Sequence, residues 1–291
     1  MSETGAGPPG RDTHRRRVDG GPLAFFGLVF AISVPFWVLG PLVDELPGWF
    51  PENLPTSALM TFCPAIAAGV LVYNRDGLDG LRRLLKRTVH LDRTTNLRWF
   101  MLAVLVFPVI TLLSYAVLSL LDRPLPDPRF ALATVPALAV VYFVTAIGEE
   151  LGWTGYALDP IQDRRGALNA AILLGGVTAI WHLVPYVQGG NSARWIAGQV
   201  VFTVAGRVVL VWIYNNTARS VLAAVVVHQM SNMSWNLFPN NGSHYDPVVT
   251  GIITAIVAVV AVIGWGPRTL TRDAAPAGVR PAPRPSGRDM A

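Results

Sequence analysis

Eight stretches of roughly twenty mostly apolar residues, each about the length a helix needs to cross a hydrocarbon core, constrain this chain more than any other feature. They run Pro22–Leu42, Pro55–Tyr73, Leu97–Leu121, Ala131–Ala157, Ala167–Tyr186, Trp195–Tyr214, Ser220–Leu237 and Val248–Trp265. Trp49, Trp99, Trp195, Trp212 and Trp265 fall near their ends, where interfacial aromatics sit. Composition agrees: 52% of residues are hydrophobic, 14% are charged and the mean hydropathy is +0.43. A soluble domain carries roughly 25% charged residues. The expectation is an all-α, polytopic helical membrane protein with about eight transmembrane helices.

The net charge of +5 does not indicate a nucleic-acid partner, because the basic residues are confined to tails and loops between apolar runs. Anionic lipid and the positive-inside rule produce that pattern. Counted by segment, 19 basic residues fall on the side of the N-terminus, and Arg123, Arg129 and Arg194 fall on the other. This predicts cytoplasmic N- and C-termini. Arg outnumbers Lys 22 to 1 in a chain rich in Ala, Gly and Pro, which reads as a GC-rich bacterium and hence a bacterial cytoplasmic (inner) membrane. Residues 1–21 lack the short apolar core and small-residue cleavage site of a signal peptide. They read as a disordered basic tail, and 267–291 as a disordered Pro/Arg-rich one, flanking a membrane domain over 22–266. Cys63 stands alone and forms no intrachain disulfide. From Leu78 to Val89, Leu78, Leu81, Leu84, Leu85 and Val89 share one helical face, while Arg82, Arg83, Lys86 and Arg87 lie away from it. That is an amphipathic helix on the cytoplasmic leaflet.

Charged groups at bilayer depth are costly and usually have a partner or a task. Glu149 and Glu150 lie in the fourth run, in Gly148-Glu-Glu-Leu-Gly-Trp-Thr-Gly-Tyr156, with Asp159-Pro160 expected to end the helix. His182 lies in the fifth, Arg207 in the sixth, and His228 and Asn232 in the seventh, at the i, i+4 spacing that puts both on one face. At 1.5 Å per residue Glu149 and His228 lie about 12 Å from the cytoplasmic end, and His182 about 22 Å. These depths meet only if the fifth helix begins in the cytoplasm or tilts strongly. A carboxylate beside a neutral imidazole can deprotonate water for attack on a carbonyl. A second imidazole and an amide can stabilise the oxyanion. His and Glu can instead hold zinc, although the His-Glu-x-x-His helix pattern is missing.

The run Gly148–Tyr156, Trp181-His182, and the stretch Trp212–Asn232 ending His-Gln-Met-Ser-Asn resemble the CPBP intramembrane proteases. This family, also called ABI, contains the CAAX prenyl endopeptidases and bacteriocin-related bacterial members. The resemblance is strongest over residues 148–235. It implies an intramembrane endopeptidase acting on membrane-associated peptide or protein substrates, with its site open to the cytoplasmic side. Carried over, Glu149 is the water-activating base with His182 assisting, Glu150 is the supporting acid, and His228 and Asn232 stabilise the oxyanion. Family members are commonly called metalloproteases. A divalent metal such as zinc would then take Glu149, His182 and His228, while a metal-free mechanism would need no cofactor. Two positions depart from the family pattern: Thr154 stands where the family has Arg, and Thr178 where an aromatic is usual. Arg207, the one basic residue deep inside a run, is expected to supply the lost counter-charge. A catalytically weak or inactive scaffold and a proton-coupled transporter are the competing readings.

Overall fold

A computed structural model describes residues 21–42, 56–89, 96–125, 127, 132–237, 242 and 245–272. The sequence readings made for residues 1–20, Trp49 and residues 273–291 lie outside them. Among the described residues there is no β-strand. The helices are α1 (Pro22–Leu39), α2 (Cys63–Lys86), α3 (Leu97–Leu120), α4 (Val135–Gly152), α5 (Asp159–Arg165), α6 (Ala167–Gln188), α7 (Ala193–Asn216), α8 (Val221–Leu237) and α9 (Pro247–Trp265).

Local chemistry sets these ends. Prolines occupy the first turns of α1, α2, α4, α5 and α9, where a missing N–H costs nothing. Side chains of Asn96, Ser192 and Asp246 accept hydrogen bonds from first-turn amides of α3, α7 and α9. Large apolar side chains face outward along the bundle, among them Leu112 (53% exposed), Ile256 (58%) and Ile263 (80%). In water such a surface would associate; in lipid it is at home.

Among the described residues six segments are long and apolar enough to span a bilayer: Pro22–Leu39, Leu97–Leu120, Leu132–Arg165, Ala167–Gln188, Ala193–Asn216 and Pro247–Trp265. The chain is a multi-pass helical membrane protein. The other two expected spans fall on α8 and on the first half of α2. α8 has 17 residues and packs on α3 and α4. α2 joins the second apolar run to the amphipathic segment across a break at Gly77 (φ 66°), a conformation that suits glycine. Arg87, assigned from sequence to the polar face, instead turns inward, donating to the Gly155 carbonyl, to Asp159 Oδ2 (2.9 Å) and to the Tyr214 hydroxyl (2.8 Å).

Two further differences bear on the site. Asp159-Pro160 does not end the fourth helix: a π-helical segment, Trp153–Leu158, carries it into α5 and on to Arg165. Proline fits there as the first turn of α5. The C-terminal segment also begins as structure rather than as a free tail. Ala167 and Leu168 amides, unpaired at the start of α6, donate to the carbonyls of Arg268 (2.8 Å) and Pro267 (3.0 Å), and Leu270 is fully buried. Asn215 and Asn216 on α7 donate to the carbonyls of Thr269 and Leu270.

Candidate active site

Close helix contact brings the polar residues together. A Cβ at Gly148 would lie 2.9 Å from the Thr61 carbonyl, and one at Gly152 would overlap Pro64. These two small residues, one turn apart, let α4 lie directly on the start of α2, as small residues do in membrane helix pairs. Gly175 does the same for α6 against α7, where a Cβ would meet Val204 and the Arg207 side chain.

Glu150 is fully buried and fully engaged. Its Oε2 accepts from Arg207 Nη1 (2.7 Å) and from the Thr154 hydroxyl, and its Oε1 faces His228 Nδ1 at 2.8 Å. Arg207 is itself buried (6% exposed) and also reaches Thr154 Oγ1 at 3.5 Å. Arg207 from α7 thus stands against the glutamate, with Thr154 bridging the two. A buried guanidinium and carboxylate each need the other, because removing either leaves an uncompensated charge.

Glu149 is held differently. Its Oε1 accepts from the Thr61 hydroxyl (3.1 Å), while its Oε2 is buried with no hydrogen-bond partner in the protein. His182 places Nδ1 2.9 Å from the Thr178 carbonyl. A carbonyl only accepts, so Nδ1 carries the proton and Nε2 is the atom left for chemistry. The ring stacks on Tyr186 (5.6 Å between centroids) and meets Trp181 edge-on (4.7 Å), which fixes its plane. Trp181 is anchored in turn by donating to Ser33 Oγ (2.7 Å).

Glu149, Glu150, His182, Arg207, His228 and Asn232 line one cavity of about 500 Å³. The expected depth mismatch closes because the fourth helix runs to Arg165, so Glu149 and His182 lie at similar distances, about 22–24 Å, from the ends of α5 and α6 nearest the arginine-rich loops.

The cavity extends to Gly189, Asn191, Trp195, Trp235 and Asn236, at the ends of α6, α7 and α8 far from the arginine-rich loops. Its floor is formed by Glu150, Arg207, Leu210 and Val227. Below the floor the bundle is closed by buried Trp153, Leu158 and Tyr214 and by the Arg87–Asp159–Tyr214 hydrogen bonds. An opening at the arginine-rich end was expected from sequence, and this is a correction. The expectation took the fourth helix to stop at Asp159, and the added turns seal that side.

Thr61 was not singled out from sequence, since a lone threonine in an apolar run carries no signal. Nor were Tyr186 and Gln199, two further wall residues. The zinc expectation finds little support in the geometry. Among the described residues no group of three His, Cys, Asp or Glu side chains comes together as a metal ligand set. The Arg207 guanidinium on Glu150 also places a fixed positive charge in the cavity that Glu149, His182 and His228 share.

Residues 131–234 match the family described as type II CAAX prenyl endopeptidase Rce1-like. The chain is also similar to CAAX prenyl protease 2 of Methanococcus maripaludis, with 22% identity over 258 residues, covering 82% of this chain and 92% of that protein. Both matches support a membrane endopeptidase in general terms, and they bear out the likeness to the CPBP intramembrane proteases carried by the glutamate pair, His182 and the His228–Asn232 pair.

Proposed function

We propose that this protein is an intramembrane endopeptidase of a bacterial cytoplasmic membrane, with both termini cytoplasmic, that hydrolyses peptide bonds with a water activated by Glu149 and His182. The observation carrying this reading is the division of labour between adjacent carboxylates. Glu150 is saturated by Arg207, Thr154 and His228, whereas Glu149 keeps a buried, unpaired oxygen in a cavity it shares with His182. A carboxylate so placed has basicity to spend on a water.

In the proposed reaction, Glu149 takes a proton from water as a C–O bond forms at the substrate carbonyl carbon. His182 orients that water through Nε2. The oxyanion is stabilised by His228 and Asn232, one helical turn apart on α8. The C–N bond then breaks, and the proton on Glu149 passes to the leaving nitrogen, giving a carboxylic acid and an amine; transfer of the acid's proton to the amine leaves a carboxylate and an ammonium. His228 has a defined protonation requirement. Its Nδ1 faces the acceptor Glu150, so Nε2 donates to an oxyanion only when the ring is an imidazolium. Glu150, kept ionised by Arg207, is the counter-ion for that imidazolium. No step calls for a metal.

The test is cleavage of membrane-presented peptides by purified wild type and by Glu149→Gln. Loss of cutting in a folded variant supports the reading. Equal cutting by both removes Glu149 as base, and no cutting by wild type favours the scaffold.

A further inference from the structure

We infer that substrate enters from the extracytoplasmic side, so that the chain acts on exported peptides or on the outer segments of membrane-anchored proteins. The word substrate here rests on the endopeptidase reading; the side of entry does not.

Two independent observations meet. One is the charge distribution. Counted in the sequence, 19 of the 23 basic residues belong to the stretches before α1, from the second half of α2 to the start of α3, around the α5–α6 and α7–α8 connections, and after α9, which alternate spans assign to one side of the membrane. Such an excess faces the cytoplasm. The other is the direction of the cavity. Its mouth is at the α6–α7 turn and the end of α8, where Gly189, Asn191, Trp195 and Trp235 line it. That is the arginine-poor end. The arginine-rich end is shut by the Arg87–Asp159–Tyr214 cluster and by the docked 267–270 segment. A chain oriented by its arginines therefore presents its glutamates outward.

The mouth also indicates what fits. Tyr186, Trp195 and Trp235 offer aromatic surface, while Asn191 and Asn236 offer uncharged hydrogen-bonding groups suited to a peptide backbone. By sequence the outer segments carry six carboxylates against three arginines. A neutral or cationic peptide is thus favoured over an acidic one.

Cysteine accessibility tests this without reference to catalysis. In a Cys63→Ala background, Ala193→Cys reports the mouth, Ser231→Cys reports the cavity wall, and Asp163→Cys reports the opposite end. A membrane-impermeant maleimide is applied to spheroplasts, before and after permeabilisation. The expected result is full labelling of Ala193→Cys and Ser231→Cys in sealed spheroplasts, with Asp163→Cys labelled only after permeabilisation. If Ala193→Cys needs permeabilisation, the orientation is reversed and the inference fails. If Ala193→Cys labels outside but Ser231→Cys needs permeabilisation, the mouth is not the route and the inference fails. A cationic reporter peptide added outside the same spheroplasts reads the activity: labelling as expected, with no Glu149-dependent cleavage of peptides from either side, overturns the endopeptidase reading and leaves the side of entry standing.

Discussion

Arg207 Nη1 lies 2.7 Å from Glu150 Oε2, joining α7 to α4 across 57 residues of sequence inside an otherwise apolar bundle. Thr154 hydrogen-bonds the same carboxylate oxygen from one turn further along its own helix. Where the family resemblance implies an arginine at position 154, this chain has Thr154, and the counter-charge on Glu150 comes from Arg207 on α7.

The first prediction follows from that exchange. Arg207→Ala takes from the buried Glu150 its permanently charged partner, and breaking such a buried pair typically costs about 3–5 kcal/mol. It should lower the melting temperature in detergent and reduce cleavage strongly. Thr154→Arg added to Arg207→Ala returns a guanidinium to Glu150 from α4 and should recover much of both losses. If Arg207→Ala melts and cuts like wild type, the pair is not what holds Glu150.

Adjacent glutamates should respond oppositely in stability. Glu149→Gln keeps an acceptor for the Thr61 hydroxyl and removes a buried charge that makes no direct ion pair among the described residues, so its melting temperature should match or exceed that of wild type. Its cleavage rate should fall by about 10²–10⁴-fold, the usual worth of a positioned general base. Glu150→Gln strands Arg207 and should lose stability as well as activity. Comparing the two melting curves separates a base from a scaffold ion.

The protonation states give a pH profile. Cleavage needs His228 as imidazolium, so the rate should fall on the alkaline side as His228 loses its proton. His228→Ala should abolish the alkaline limb along with most of the rate. Asn232→Ala should cost about 10²–10³-fold, the typical effect of losing one oxyanion donor, with that limb unmoved. A profile unchanged by His228→Ala would assign the alkaline limb elsewhere.

How far the sequence alone could go is explained by where its signals lie. Polar residues stand out against an apolar run, so Glu149, Glu150, His182, Arg207, His228 and Asn232 were all legible, and so was the exchange of Arg for Thr154. Thr61 was not, because threonine satisfies itself on its own helix and is unremarkable in a membrane span. Hydropathy reports depth along one helix but not where neighbouring helices splay, which left the mouth of the cavity at the wrong end. The π-helical segment was also silent: Trp153–Leu158 holds one glycine, Gly155, and no proline, which does not tell a π turn from an α turn, and the segment moves the helix end from Asp159 to Arg165. Residues 267–272 read as tail by composition, yet their carbonyls are what the open first turn of α6 requires.

Metal dependence is the last prediction. Zinc at Glu149, His182 and His228 would need three donors converging on one point, and among the described residues no such trio exists. His182 Nδ1 is committed to the Thr178 carbonyl and His228 Nδ1 to Glu150. Binding through the remaining nitrogens would still set a dication near the Arg207 guanidinium, opposed by its positive charge. Elemental analysis of purified protein should therefore find less than about 0.1 zinc per chain, since those residues lack the closed set of four ligands or three ligands plus water that zinc requires. Chelator should leave the cleavage rate unchanged. Stoichiometric zinc lost together with activity on chelation, and both restored by adding the metal, would require the two histidines to turn toward Glu149 and would replace the water-activation scheme argued here.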